Sequence, residues 1–113
     1  MNRGAAAEAL AASYLATRGL TIVQRNYRCR GGEIDLIARD GTTLVFVEVR
    51  LRSSSAFGGA RASITAAKRR RIKFATGLFL SNLRREPPCR FDAILLDGLD
   101  MARIEWLVDI DIG

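Results

Sequence analysis

The sequence contains no histidine. That single absence removes Ser-His and Cys-His nucleophile pairs, imidazole zinc ligands and imidazole general bases together. Cysteine is nearly absent as well. Cys29 and Cys89 lie far apart with no Cys-x-x-Cys spacing, which favours two buried thiols in a reducing cytosol over a bridge. No apolar run approaches the roughly 20 residues that span a bilayer, so a soluble, cytoplasmic protein with no membrane partner is expected. The Ala-rich start from Gly4 to Leu15 is interrupted by Glu8 and reads as a first folded helix rather than a targeting peptide. With histidine and paired cysteines gone, carboxylates are left to run any metal chemistry, and oxygen-only sites favour Mg²⁺ or Mn²⁺ over zinc.

What is present fits one domain over residues 1–113: at this length and 49% hydrophobic content, a chain buries roughly two-thirds of its unfolded surface without staples. The net charge of +6 conceals a polarity. Residues 1–90 hold 17 basic and 6 acidic side chains, a net +11, while residues 91–113 hold one arginine and 6 acids, a net −5. The basic part is the candidate surface for a polyanion. Sixteen of the 18 basic residues are arginine, which suits bidentate phosphate contacts and equally fits a bias in genome composition.

From Ala6 the apolar positions Ala7, Leu10, Ala11, Tyr14 and Leu15 recur at helical spacing, with Gly19 as the stop. Glu8 falls in the first turn of that helix, where the dipole favours a carboxylate whether or not it has a function. Three short strand-like runs follow, 20–28, 33–39 and 43–51, punctuated by Gly31-Gly32 and Asp40-Gly41. The second is a hairpin signal, so the last two runs should pair antiparallel. Residues 51–63, with Ser53, Ser54, Ser55, Gly58 and Gly59, read as a loop. A second helix begins near Ser63 or Thr65, buries Ile64, Ala67, Ile72, Ala75, Phe79 and Leu83, and is ended by Pro87-Pro88. Strands over 91–96 and 103–108 close the order. The expected fold is α/β: an α-β-β-β-α-β core on a mixed sheet flanked by helices.

Strand alternation puts Glu33 and Asp35 on one face and Ile34 and Leu36 on the other. The next strand carries Leu44, Phe46, Glu48 and Arg50 on one face and Val45, Val47, Val49 and Leu51 on the other. A strand apolar on both faces is central, so ionised groups at its far end need pairing, metal or solvent. Across the Asp40-Gly41 turn, Asp35 and Glu48 become candidate neighbours, with the register open. Two close carboxylates repel, and a divalent cation relieves the repulsion while offering a Lewis acid to a phosphodiester. Asp35 and Glu48 are thus the candidate metal ligands. Arg50 is placed to stabilise charge on a phosphate but not to act as a base, since guanidinium does not deprotonate. Spacing alone leaves open a plain Glu48–Arg50 ion pair, worth at most about 1 kcal/mol if exposed.

The stretches Gly32-Glu33-Ile34-Asp35-Leu36-Ile37, Val45-Phe46-Val47-Glu48-Val49-Arg50 and Phe57-Gly58-Gly59, followed by a basic helix, resemble the YraN family of uncharacterised bacterial proteins. That family is predicted to be similar to archaeal Holliday junction resolvases within the PD-(D/E)XK nuclease superfamily. The resemblance runs over nearly the whole chain, including Ala7-Glu8 and Cys89-Arg90-Phe91-Asp92. It implies that Asp35 and Glu48 match the metal-binding acids, Arg50 the basic residue of the E-x-K element, and Glu8 the first-helix glutamate of resolvase-like members. It further implies a Mg²⁺- or Mn²⁺-dependent endonuclease acting on branched DNA, DNA rather than RNA, with a homodimer by analogy. One residue departs from the pattern: the element ends in lysine, and Arg50 keeps the charge while changing geometry and hydration.

Lys68, Arg69, Arg70, Arg71 and Lys73 crowd five cations into six residues, too many for one helical face. Lys68 and Arg71 flank the buried stripe, while Arg69, Arg70 and Lys73 are expected to project into solvent. With Arg52 and Arg61 of the preceding loop, Lys68, Arg69, Arg70 and Lys73 form the candidate phosphate-binding set, giving salt-sensitive affinity. No RNP aromatics and no recognition-helix pattern point to base readout. Two other classes remain in view: a DNA-binding module that kept the fold without the chemistry, favoured by Arg50, and a protein-interaction adaptor using the acidic end.

Overall fold

The computed structural model describes residues 3–52 and 64–113. Its elements are α1 (Arg3–Thr17), β1 (Thr21–Cys29), β2 (Gly32–Asp40), β3 (Thr43–Arg52), α2 (Ala66–Ser81), β4 (Cys89–Asp97) and β5 (Ile104–Leu107), the last preceded by a 3-10 turn at Met101–Arg103. The five strands form one sheet in the order β1-β2-β3-β4-β5. β1, β2 and β3 are an antiparallel meander, β4 joins parallel to β3, and β5 returns antiparallel. This is the α-β-β-β-α-β arrangement on a mixed sheet, an α/β fold consistent with a restriction-endonuclease-like core, with a short fifth strand at one edge.

The central position of β3 follows from its composition, since only a strand covered on both faces can carry apolar residues on both. On one face Val45 and Val47 pack with Leu36, Ala38, Ile94 and Leu96 beneath Ala7, Ala11 and Leu15 of α1. On the other, Leu44 and Phe46 pack with Ile34, Ile37 and Ala75 of α2. Phe46 is fully buried, with the rings of Phe79 and Phe91 centred 6.0 and 5.7 Å away; cutting it to alanine would cost about 3–5 kcal/mol.

α1 stops where expected. Gly19 takes φ +92°, and the Gly19 and Leu20 amides donate to the carbonyls of Ala16 and Leu15, a Schellman closure that needs a left-handed residue. α2 starts at Thr65, whose Oγ1 accepts from the Lys68 amide at 3.1 Å. Its end differs from the expectation. The helix closes at Ser81, well before Pro87, because Ser81 Oγ and Asn82 Nδ2 both donate to the Leu78 carbonyl and satisfy the last turn locally. Leu83 beyond that end is exposed, as is Ala67 in the first turn, and the buried positions within α2 are Ile72, Ala75 and Thr76.

Two further expectations change. Cys29 is half-buried and Cys89, at the exposed start of β4, is open to solvent; both are free thiols. Gly32 is not turn punctuation but a packing glycine: a Cβ there would fall on the Arg71 carbonyl oxygen of α2. Ser53 to Ser63, with Phe57-Gly58-Gly59 and Arg61, lie outside the described residues. Among the described residues no helix is long and apolar enough to cross a membrane.

Candidate functional site

The hairpin register runs Asp40↔Thr43 to Leu36↔Val47, and one further step sets Asp35 opposite Glu48. Regular pairing stops there. The Asp35 carboxylate takes over from the backbone ladder, Oδ2 accepting from the Val49 amide at 2.8 Å. Alternation also breaks at this point. Ile34 and Ile37 pack together on the α2 side while Leu36 and Ala38 face α1, so Ile34 and Leu36 do not share a face as simple parity requires. The neighbouring strand reverses at the matching place. β1 pairs through Arg25↔Leu36 and Tyr27↔Ile34, and Asn26 between them adopts φ +52°, a left-handed conformation that asparagine tolerates better than most residues. Asn26 and Asp35 thus mark a double irregularity in adjacent strands, and such irregularities re-aim side chains.

Glu48 follows Phe46 on the α2 face of β3 and is 5% exposed. Its Oε1 is buried without a hydrogen-bond partner. The nearest cations are Lys68 Nζ at 3.3 Å and Arg50 Nη1 at 3.8 Å, close enough to attract but short of well-formed charge-assisted hydrogen bonds. Burial, and then the negative charge of Asp35, push its pKa up to about 7, against the opposing pull of Lys68 and Arg50. Asp35 is raised by burial, with the Val49 amide and Lys68 pulling the other way. Glu8 is raised by burial and then by Asp35, with Asn26 and Arg28 opposing. Asp35 of β2 is therefore within electrostatic reach of both Glu8 of α1 and Glu48 of β3, and its ionisation hinders theirs.

Because α1 begins at Arg3, Glu8 sits in the second turn, and no acid occupies the first. A helix-dipole role, which falls off within one turn, does not account for it. Its half-buried position beside Asp35 and Asn26 does.

The cations of α2 divide differently from the expectation. Lys68 is tucked inward, its side chain 21% exposed, bridging Glu48 and Glu33 at 3.3 and 3.6 Å. Arg71 reaches Glu33 at 3.8 Å from the more exposed side. Lys73, expected to project into solvent, is exposed and donates to the backbone oxygen of Gly113 (2.6 Å), whereas Arg69, expected to do the same, is half-buried and donates to the Ile64 carbonyl (2.9 Å). Helical geometry alone could not reveal those partners, because one lies before the helix and the other 40 residues away in sequence. Arg70 is exposed. Arg52 closes β3, and Arg61 lies outside the described residues. Asn26 is a residue that sequence reasoning missed; an asparagine within a strand run, disfavoured there and tolerant of left-handed φ, was the available signal.

Among the described residues no three His, Cys, Asp or Glu side chains form a ready-made metal cage. Mg²⁺ does not require one, since it keeps several waters and is commonly held by one or two carboxylates plus a substrate phosphate. The donor set fits: hard oxygen ligands, one buried oxygen lacking a partner, and two acids whose charges a divalent cation would relieve.

Comparison with known sequences adds kinship. The chain matches the profile of the uncharacterised protein family UPF0102 over residues 7–96, a span that contains Glu8, Asp35, Glu48 and Lys68. It is 55% identical over 105 residues to a UPF0102 protein of Nitrosospira multiformis, covering 93% of this chain and 88% of that one. It is 57% identical over 107 residues to one of Cupriavidus pinatubonensis (93% and 81% covered) and 52% identical over 106 residues to one of Nitrosomonas europaea (94% and 90% covered).

Proposed function

This chain belongs to the uncharacterised protein family UPF0102, and within it we propose a Mg²⁺-dependent endonuclease that hydrolyses DNA phosphodiesters, with branched DNA as its substrate class. Glu48 carries the reading. An acid kept in the sheet with an unpartnered oxygen and a pKa near 7 weakens the fold, whereas beside a second carboxylate it makes a strong seat for a hard cation. Asp35 and Glu48 would hold the metal, Mg²⁺ or Mn²⁺. When bound, the ion supplies Lewis acidity toward the phosphodiester and makes water a stronger nucleophile.

The protein side chains do the rest. The Val49 amide fixes one oxygen of Asp35, so that carboxylate keeps its orientation as charge builds. Lys68 and Arg50 lie on the Glu48 side and present positive charge to the phosphoryl oxygens, where negative charge grows during in-line displacement. Glu8, flanked by Asn26 and Arg28, is placed to orient the attacking water by accepting its hydrogen bond. None of these roles asks Arg50 to give up a proton.

The test is cleavage of duplex, flap and four-way DNA by the purified protein with Mg²⁺ or Mn²⁺. The expected result is cutting of the branched substrates by wild type and its loss in Asp35→Ala; equal residual cutting by both proteins sinks the assignment. A second reading, a DNA-binding module without chemistry, is favoured by Arg50 standing where the E-x-K element has lysine. Arg50→Lys separates the two: a gain of cutting supports a nuclease site, while silence with intact, salt-sensitive binding supports the module.

A further inference from the structure

Glu33 gathers an unusual share of positive charge. Its Oε1 lies 3.6 Å from Lys68 Nζ and 3.8 Å from Arg71 Nη2, and its Oε2 lies 3.9 Å from Arg28 Nε. The four side chains come from three elements, β1, β2 and α2. They converge because Gly32 lets β2 pass hard against the backbone of α2. All three distances are too long for hydrogen bonds, so one carboxylate holds three cations by attraction alone, sharing Lys68 with Glu48, and is outnumbered by the two exposed guanidiniums beside it. Arg28 and Arg71 are 72% and 56% exposed, and exposed pairs of this kind contribute little to stability and exchange readily. By contrast, the Arg69 and Lys73 side chains are already donating to carbonyls.

A phosphodiester carries the same single charge as the Glu33 carboxylate, offers two free oxygens, and matches a guanidinium fork better than loose contacts beyond 3.5 Å do. We propose that Arg28, Lys68 and Arg71 are the receiving site for one backbone phosphate of the bound DNA, and that Glu33 holds these cations together in the free protein and yields them to that phosphate. Lys68 connects this site to the chemistry, since the same ammonium lies 3.3 Å from Glu48 Oε1. A strand gripped here is held beside the Asp35–Glu48 pair. The inference rests on the proposed function only for the identity of the polyanion and needs no turnover.

The experiment is fluorescence anisotropy with a labelled DNA four-way junction in EDTA, where hydrolysis is off, titrated over a range of salt. Glu33→Gln should bind about fivefold tighter, since its competing charge is gone. Arg28→Ala/Arg71→Ala should bind at least about tenfold weaker, with the slope of log affinity against log salt shallower by about 1. Arg84→Ala/Arg85→Ala, which removes two exposed cations beyond the far end of α2, should change affinity far less. The proposal is overturned if Glu33→Gln binds no tighter, or if the two double variants behave alike. Should Glu33→Gln not fold, as judged by its circular dichroism melt, the exposed arginine pair decides the matter. Wild type that binds in this pattern but never cuts with Mg²⁺ leaves this site standing and ends the nuclease reading. Cutting with unaltered binding by Arg28→Ala/Arg71→Ala does the reverse, and no binding at low salt ends both.

Discussion

Asp92 in β4 and Glu48 in β3 are both buried acids of one sheet, yet their surroundings differ in kind. Asp92 is 1% exposed and fully satisfied. Its oxygens accept from Arg90 Nε at 3.1 and 3.3 Å, Trp106 Nε1 at 2.9 Å and the Asp109 amide at 2.9 Å, and Arg90 continues to Asp40 at 3.0 Å. Those bonds tie β4 to the hairpin at one side and to the C-terminal segment at the other. Glu48 has one oxygen without a hydrogen bond, two cations held off at 3.3 and 3.8 Å, and a raised pKa. A satisfied buried acid fastens a fold; an underpaired one weakens it and is free to take a ligand.

The largest effect expected from this contrast is on chemistry. Asp35→Asn keeps an acceptor for the Val49 amide but removes a ligand charge, so Mg²⁺-dependent cleavage should fall by at least about a thousandfold, roughly 4 kcal/mol of barrier, with the thermal unfolding curve little changed. Asp92→Asn, assayed well below its melting temperature, should still cut. Reversed outcomes in the two assays would exchange the roles given to these acids.

The next effect is on stability. Asp92→Ala strands Arg90, the Trp106 indole N–H and the Asp109 amide together, and removing one partner of such a network should lower the unfolding free energy by about 3 kcal/mol. Urea titration at fixed pH measures it. A loss within the noise of the titration would remove Asp92 from its fastening role.

Glu48 should act with the opposite sign. Its folded pKa, about 7, lies above the ordinary glutamate value of 4.5 taken for the unfolded chain. Protonation therefore favours the folded state: this contribution is complete below about pH 4.5 and is lost as pH rises through about 7. In EDTA, wild type should grow less stable between those limits. Glu48→Gln, which cannot ionise, should flatten that segment and exceed wild type by up to about 3 kcal/mol at pH 8. A wild-type stability that rises with pH across the same window contradicts the assignment.

How much of this was legible in the sequence depended on the range of the interaction. The Asp40-Gly41 signal fixed the hairpin, and the Leu36↔Val47 register then brought Asp35 to Glu48, because turn chemistry is local. The reversal at Asn26 and Asp35 was not legible, since it takes two strands departing from regularity together. The fates of Arg69 and Lys73 were hidden for the same reason: their acceptors belong to other parts of the chain. Gly32 looked like a turn residue beside Gly31 and is instead the point where β2 touches α2. The resemblance to an uncharacterised family was right as kinship, and it included Asp92 without distinguishing a fastening acid from a poised one.

The smallest effect joins both halves of the comparison, because a metal should stabilise one acid site and leave the other untouched. Mg²⁺ at ten times its dissociation constant adds about 1.4 kcal/mol to any protein that binds it only when folded. The cation competes with a proton on Glu48, so the gain should be full at pH 8, where Glu48 is ionised, and much reduced near pH 5.5, below its raised pKa. Differential scanning fluorimetry with and without Mg²⁺ at the two pH values reads this directly. Asp92→Asn should keep the whole Mg²⁺ increment on its lower baseline, while Asp35→Asn and Glu48→Gln should lose it. An increment that survives in both of those variants would place the cation elsewhere on the protein and leave Glu48 as an unexplained weakness of the sheet.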